Sequence, residues 1–267
     1  MSSSLSRKIL NKLMLPFYKK KSFYGFFEAL HSISLKGLEH GYHYGDVLTS
    51  GEINVIKLVK KSFKNPVIID GGANLGQFAS KCKEIIGTNL TIYCFEPSQN
   101  SYDKLKNKFN NEYNFIIEQK ALSDNNSKLT LNHYKNNPEM ASIIKCDFPG
   151  LDLPIESTET IEAISIDEYC AVNKIERINY LKLDIEGYEL TALKGANKMI
   201  RNKKIDYIQF EMGRSNIDSK TYFKDFYQLL HKDYKFYRIV SNDLLEINEY
   251  SYEMEIFLGS NYLAKLN

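Results

Sequence analysis

The residues of this chain that could do chemistry are carboxylates at the ends of short apolar runs: Asp70, Glu96, Asp184, Glu186 and Glu211. The first closes Val67-Ile68-Ile69-Asp70, a β-branched stretch that reads as a buried strand. Gly71-Gly72-Ala73-Asn74-Leu75-Gly76 follows, and a helix should run on through Phe78 and Ala79. A strand that turns into a helix over glycines brings backbone N–H groups close to a ligand, the usual way of holding a nucleotide-like cofactor. A dinucleotide fingerprint would need glycine where Ala73 stands, so that the backbone could approach a pyrophosphate. Asp70 argues the same way. A carboxylate at the strand tip repels a pyrophosphate but suits a ligand with an ammonium and a sulfonium, as S-adenosylmethionine has.

One strand further on, Thr91-Ile92-Tyr93-Cys94-Phe95-Glu96-Pro97 places Glu96 twenty residues after Gly76. An acidic residue there can accept hydrogen bonds from both ribose hydroxyls of an adenosine. A later strand, Tyr180–Asp184, ends in Lys182-Leu183-Asp184-Ile185-Glu186-Gly187. Alternation sets Lys182, Asp184 and Glu186 on one side, unusual for a buried strand unless its end faces a site. Glu211 ends the next strand, Asp206–Phe210. Asp184, Glu186 and Glu211 are thus candidate catalytic carboxylates. They could act as a general base for a hydroxyl, as cofactor contacts, or as ligands to a hard cation. The plainer reading has Glu186 starting a helix and Glu211 capping a loop.

The pieces IIDGGANLGQF, FEPSQNSYDKL, ALSD (Ala121 to Asp124), SIDEY (Ser165 to Tyr169) and LKLDIEGYELTALKGA (Leu181 to Ala196) resemble, in order, those of the FkbM-type methyltransferases. The resemblance covers roughly residues 66 to 212. It implies an α/β, Rossmann-like class I methyltransferase: a seven-stranded, mostly parallel sheet whose last strand is reversed. It also implies S-adenosylmethionine as cofactor and marks the region of Ala141 and Ser142 as near the site. The candidate cofactor set is Glu52, Asp70, Gly71, Gly72, Asn74, Gly76, Glu96, Pro97, Ala121, Ser123 and Asp184. His43 and Ser142 are the candidate substrate-loop residues.

The elements that must position these residues follow a βαβ alternation from Pro66: strand 67–70, helix 74–86, strand 90–95, helix 98–109 and strand 114–121. Such alternation implies a parallel sheet with right-handed crossovers and a ligand at the carboxyl ends of its strands. Ala121-Leu122-Ser123-Asp124 falls at that edge, placed to line an adenine. Lys128–Tyr134 reads as a strand, and 136–154, with three prolines, as a long polar lid or substrate loop. Ile161–Ile166 reads as a strand, Asp167–Val172 and Glu189–Arg201 as helices. A helix at 218–231 and strands at 234–240 and 253–259 close the sheet; the short link before the last leaves no room for a crossover, so that strand should be antiparallel. Thr49-Ser50-Gly51-Glu52 reads as a capping box. Glu52 either caps that helix or faces the amino-acid end of the cofactor.

Ahead of this domain (49–267), residues 1–48 read as a basic helical extension and a loop. Residues 1–27 hold six basic residues and no acidic one, with Pro16 set to interrupt the helix. Peripheral contact with anionic lipid is one reading of this segment, and an ordinary solvated helix the other. His40 and His43 in the loop 35–48 lack a supporting set of cysteines or carboxylates, so no metal is expected there. Lys+Arg of 35 against Asp+Glu of 33 leaves +2, which excludes the field of a nucleic-acid binder. The four cysteines form no CxxC, so buried free thiols and a cytoplasmic location are expected. No apolar run approaches a membrane span. The expected activity is methyl transfer from S-adenosylmethionine to a hydroxyl of a sugar or other secondary metabolite. A non-catalytic partner in a glycan-assembly complex and an NAD-dependent oxidoreductase are the rivals.

Overall fold

The computed structural model describes residues 5–41, 46–135, 137–147 and 152–267. They form two compact units, one ending at His40 and one running from Gly41 to Asn267. The first contains α1 (Leu5–Met14), two 3₁₀ turns (Leu15–Phe17, Lys21–Phe23) and α2 (Tyr24–Gly37). Pro16 acts as expected: the α-helix stops at Met14 and a 3₁₀ turn carries the proline.

In the second unit, α3 (Glu52–Ser62) precedes β1 (Val67–Gly71), α4 (Gln77–Ile86), β2 (Thr91–Phe95), α5 (Gln99–Lys108) and β3 (Phe115–Glu118). Then come β4 (Ala121–Ser123), β5 (Ser127–Tyr134), β6 (Asn137–Ser142) and β7 (Ile155–Ser165). The chain continues through α6 (Ile166–Val172), β8 (Ile178–Leu183), α7 (Glu189–Lys194), α8 (Asn197–Arg201) and β9 (Ile205–Met212). It finishes with α9 (Ser215–Asp218), α10 (Phe223–Leu230), β10 (Tyr234–Val240), β11 (Asp243–Ile247) and β12 (Ser260–Leu266).

The main sheet has the order β11-β10-β12-β9-β8-β1-β2-β3. β3, β2, β1, β8 and β9 pair in parallel, and β12 is antiparallel to both β9 and β10. Leaving out β11, this is the seven-stranded Rossmann-like order with a reversed last strand; β11 adds an eighth strand through a tight hairpin after Val240. Strand order reverses between β1 and β8, where the crevice of an open α/β sheet lies.

Alternating side chains feed two cores. Ile69, Phe95, Leu181, Leu183, Ile208 and Phe210 pack against α6, α7, α8 and α10. Ile68, Ile92, Cys94, Tyr180, Tyr207 and Leu263 pack against α3, α4 and α5. All four cysteines are buried and free, and among the described residues no helix is long and apolar enough to cross a membrane.

Three expectations are corrected. The stretch 136–154 is not a loop throughout: β6 pairs with β5, which also pairs with the long β7, in a four-stranded second sheet of order β4-β7-β5-β6. Pro138 falls in an edge strand, the place where a sheet tolerates proline. The strand expected over 114–121 splits after Glu118, and Ala121–Ser123 joins the second sheet beside β7. The last strand lies at 260–266 rather than 253–259. In its place Tyr252–Met254 forms a 3₁₀ turn, and the Glu255 carboxylate accepts the amides of Phe223 (2.9 Å) and Lys224 (3.0 Å) at the start of α10.

Candidate active site

The register of the parallel strands lines up the charged residues. Cys94, Asp70, Lys182 and Gln209 lie opposite one another across β2, β1, β8 and β9. Two residues on, at the carboxyl ends of the same strands, come Glu96, Gly72, Asp184 and Glu211, so both rows share one face of the sheet. Gly72 fits because it has no side chain. Its φ is +82°, and a Cβ would stand 1.9 Å from the Asp184 carbonyl oxygen.

The glycine turn spends its amides inside the protein. Gly72 N and Ala73 N both donate to the Phe95 carbonyl (3.0 Å each), Gly76 N to Ala73 O (2.7 Å), and Asn74 N to Glu96 Oε2 (2.8 Å). Ser98 N donates to Glu96 Oε1 (3.0 Å). The two amides fix the Glu96 carboxylate while leaving each oxygen room for a further donor. Burial pushes Glu96 up to about 7 despite those amides. Asn74 has φ +44°, and its Oδ1 is buried without a hydrogen-bond partner.

Asp70 is fully buried, and neither of its carboxylate oxygens accepts a hydrogen bond. A buried carboxylate short of donors is costly and marks a place that a ligand could complete. Lys182 Nζ is 3.9 Å from Asp70 Oδ1, 4.0 Å from Glu52 Oε1 and 2.9 Å from Asp184 Oδ2. Burial raises Asp70 to about 7, with Asp184 and Glu52 adding to the rise and Lys182 opposing it. Lys182 is itself held above its ordinary value, because the three carboxylates outweigh its desolvation. Thr49-Ser50-Gly51-Glu52 does not form a capping box: Gly51 is the N-cap of α3, and the Glu52 carboxylate turns inward to accept from Ser50 Oγ (3.0 Å) and Gln209 Nε2 (2.6 Å). Gln209 Oε1 in turn accepts from the Tyr180 hydroxyl.

Asp184 is the more open member, with its side chain 38% exposed. Its burial raises the carboxyl, but Lys182 and a hydrogen bond from Glu211 outweigh this and hold it below the ordinary range. Glu211 is pushed far up by burial and by Asp184. Glu186 sits in a left-handed backbone conformation (φ +54°); its carboxylate accepts from Ser215 Oγ (3.0 Å), and its carbonyl from Ser142 Oγ (2.8 Å). Burial, then Asp184, raises Glu186 to about 7. The residue that shapes this turn is Glu189, read from the sequence only as a helix start. Its Oε1 accepts the amides of Ile185 (2.9 Å) and Gly187 (3.1 Å), while its Oε2 is buried without a hydrogen-bond partner.

The structure thus gathers Glu52, Asp70 and Asp184 around Lys182, with Glu211 hydrogen-bonded to Asp184 and Glu96 at the neighbouring strand end. Ser142, from β6, is buried and tied to Glu186. Pro97 lies between Glu96 and the buried Ser98. A Cβ at Gly71 would stand 2.8 Å from Leu122, and one at Gly76 2.6 Å from Leu105 and Phe109, so packing alone favours glycine there. Ala121 packs with Leu131, Ile161 and Ala163, and Ser123 Oγ donates to Asp124 (3.2 Å). His43 lies outside the described residues. Gln209, Tyr180 and Ser50 were not candidates from sequence; a glutamine inside the apolar run of β9 was the available signal.

Residues 70–237 match the family described as "Methyltransferase FkbM domain", well over half of the chain. The chain is 25% identical over 165 residues to "Hexuronic acid methyltransferase AglP" of Haloferax volcanii, covering 61% of this chain and 64% of that relative. It is 25% identical over 209 residues to "Methyltransferase sdnD" of Sordaria araneosa, covering 67% of this chain and 79% of the other. A solved structure described as methyltransferase FkbM from Methylobacillus flagellatus KT superposes with a TM-score of 0.48 at 15% identity, over 75% of this chain and 44% of that one.

Proposed function

Because the chain belongs to the FkbM methyltransferase family, we propose that it transfers a methyl group from S-adenosylmethionine to a hydroxyl oxygen of a sugar or related secondary metabolite. The observation that carries this reading is Asp70: a fully buried carboxylate, free of hydrogen-bond donors, at the strand-order reversal. Its nearest cation, Lys182 Nζ at 3.9 Å, gives it no hydrogen bond, and the ammonium at the cofactor's amino-acid end would supply one. Glu96, already oriented by two amides, would accept the ribose hydroxyls. Gly72, Ala73 and Asn74 have no spare amide for a pyrophosphate, which argues against NAD. The sugar class draws on the Haloferax volcanii relative, whose name specifies a hexuronic acid.

When bound, the cofactor supplies an electrophilic methyl on a sulfonium. The protein's part is to hold the acceptor oxygen in line and take its proton. Asp184 is charged and the most open of the three carboxylates around Lys182, and we assign it that role. A weak base suffices, because the hydroxyl becomes strongly acidic only as its bond to carbon forms. Glu211 steadies Asp184 by hydrogen bonding, and Glu186 lies at the same strand end. The cation beside Asp184 is Lys182, so the reading takes its metal-free form. Incubating the protein and methyl-labelled cofactor with extracted glycans and nucleotide sugars tests it. Label on a sugar hydroxyl supports the assignment; binding of NAD but not of S-adenosylmethionine would end it.

A further inference from the structure

The first 27 residues hold six of the 35 basic residues and none of the 33 acidic ones, so the remainder of the chain is net −4. Charge is therefore segregated along the sequence. The structure adds where the apolar side chains of that segment go. Placed at the helical period, Ile9, Leu10, Leu13 and Met14 occupy one half of α1, while Lys8, Asn11 and Lys12 occupy the other. That apolar half is not packed away: Ile9 is 52%, Leu10 59% and Leu13 65% exposed. The same holds in α2, where Phe26, Leu30 and Ile33, spaced i, i+4, i+7, form an exposed stripe and no residue is buried. Lys19, Lys20 and Lys21 lie between the two helices, flanked by the exposed Tyr18 and Tyr24.

We infer that residues 8–33 dock the protein on an anionic lipid bilayer surface. A stable amphipathic helix with open aliphatic side chains on one side and lysines on the other is the form taken by helices that lie in the lipid interface. Tyrosines suit that depth, since their rings are apolar and their hydroxyls reach the wet headgroups. A second copy of the same surface would set its five lysines against the same five with only Glu28 to pair them. A nucleic acid would match the lysines but offer nothing to the apolar halves. The lipid surface answers both. The consequence is a net-acidic catalytic unit held at the membrane by a basic, apolar extension, where lipid-linked or membrane-proximal acceptors are met.

The test is flotation of the full chain with phosphatidylcholine vesicles, with and without phosphatidylglycerol, at low and moderate salt. The protein should float only with the anionic vesicles, less so as salt rises. Replacing three lysines together (Lys19→Gln, Lys20→Gln, Lys21→Gln) should weaken partitioning about 10²-fold, near fivefold per charge. Ile9→Ser with Leu13→Ser should abolish flotation while leaving cofactor binding and thermal unfolding unchanged. The inference is overturned if the wild-type chain stays with the supernatant on anionic vesicles, or if the triple variant floats as well as the wild type. It is equally overturned if Ile9→Ser with Leu13→Ser dissolves a dimer seen by analytical ultracentrifugation while wild-type protein ignores lipid.

Discussion

The ionisation of Asp70 should control cofactor affinity. It titrates at about 7 in the folded protein against an ordinary value of 3.8. Only the charged form attracts an ammonium, so its charged fraction falls about tenfold between pH 8 and pH 6, and the affinity for S-adenosylmethionine with it. Binding at pH 7 should then release about half a proton, read by calorimetry in buffers of different ionisation heat. Asp70→Asn should flatten this dependence and cost about 1.5–3 kcal/mol of binding at pH 8, the worth of a charge-assisted hydrogen bond. The same variant should be the more stable protein. Because the folded state binds the extra proton between pH 3.8 and about 7, wild-type stability falls as the pH rises through that window and stays low above it. Removing the charge should recover at most about 4 kcal/mol at pH 8, seen as a raised Tm. A dissociation constant that does not change with pH, together with full affinity in Asp70→Asn, would refute the reasoning.

Glu96→Ala removes the carboxylate that the amides of Asn74 and Ser98 orient, and should weaken cofactor binding by roughly 1–3 kcal/mol in the same calorimeter. Glu189 is raised to about 8 by burial and so is mostly protonated at neutral pH. Glu189→Gln, which keeps the acceptor for Ile185 and Gly187, should stay within about 1 kcal/mol of wild type in urea unfolding, while Glu189→Ala should lose about 2–4 kcal/mol by orphaning two amides. With Lys182 as the cation beside Asp184, turnover should persist in EDTA; loss in EDTA and recovery with Mg²⁺ would reverse that assignment.

The parallel half of the fold was legible because its signals are local. β1, β2 and β8 are apolar runs ending in Asp70, Glu96 and Asp184, and those ends line the candidate site. What was not legible depends on partners distant in sequence. The first half of β7, residues 155–160, is mostly exposed, so its Ser, Thr and Glu residues carry little apolar pattern, and only pairing with β5 makes it a strand; the second half was legible from Ile161 on. The segment 253–259 alternates like a strand, yet Glu255 is drawn off to cap α10. Glu52 could be read two ways because its partner Gln209 is 157 residues away. Glu189 looked like an ordinary first-turn acid, and only the folded turn shows its carboxylate holding Ile185 and Gly187.

The most direct measurement is single-turnover transfer of a labelled methyl to a verified sugar acceptor by wild type and Asp184→Asn. Asp184 is partly open, charged and next to the strand-order reversal, whereas the fold around it is secured by the two apolar cores. The variant should therefore keep its fold and most of its cofactor affinity while transferring the methyl about 10²-fold more slowly or worse. Transfer by Asp184→Asn at the wild-type rate would make Asp184 a structural residue and contradict the account.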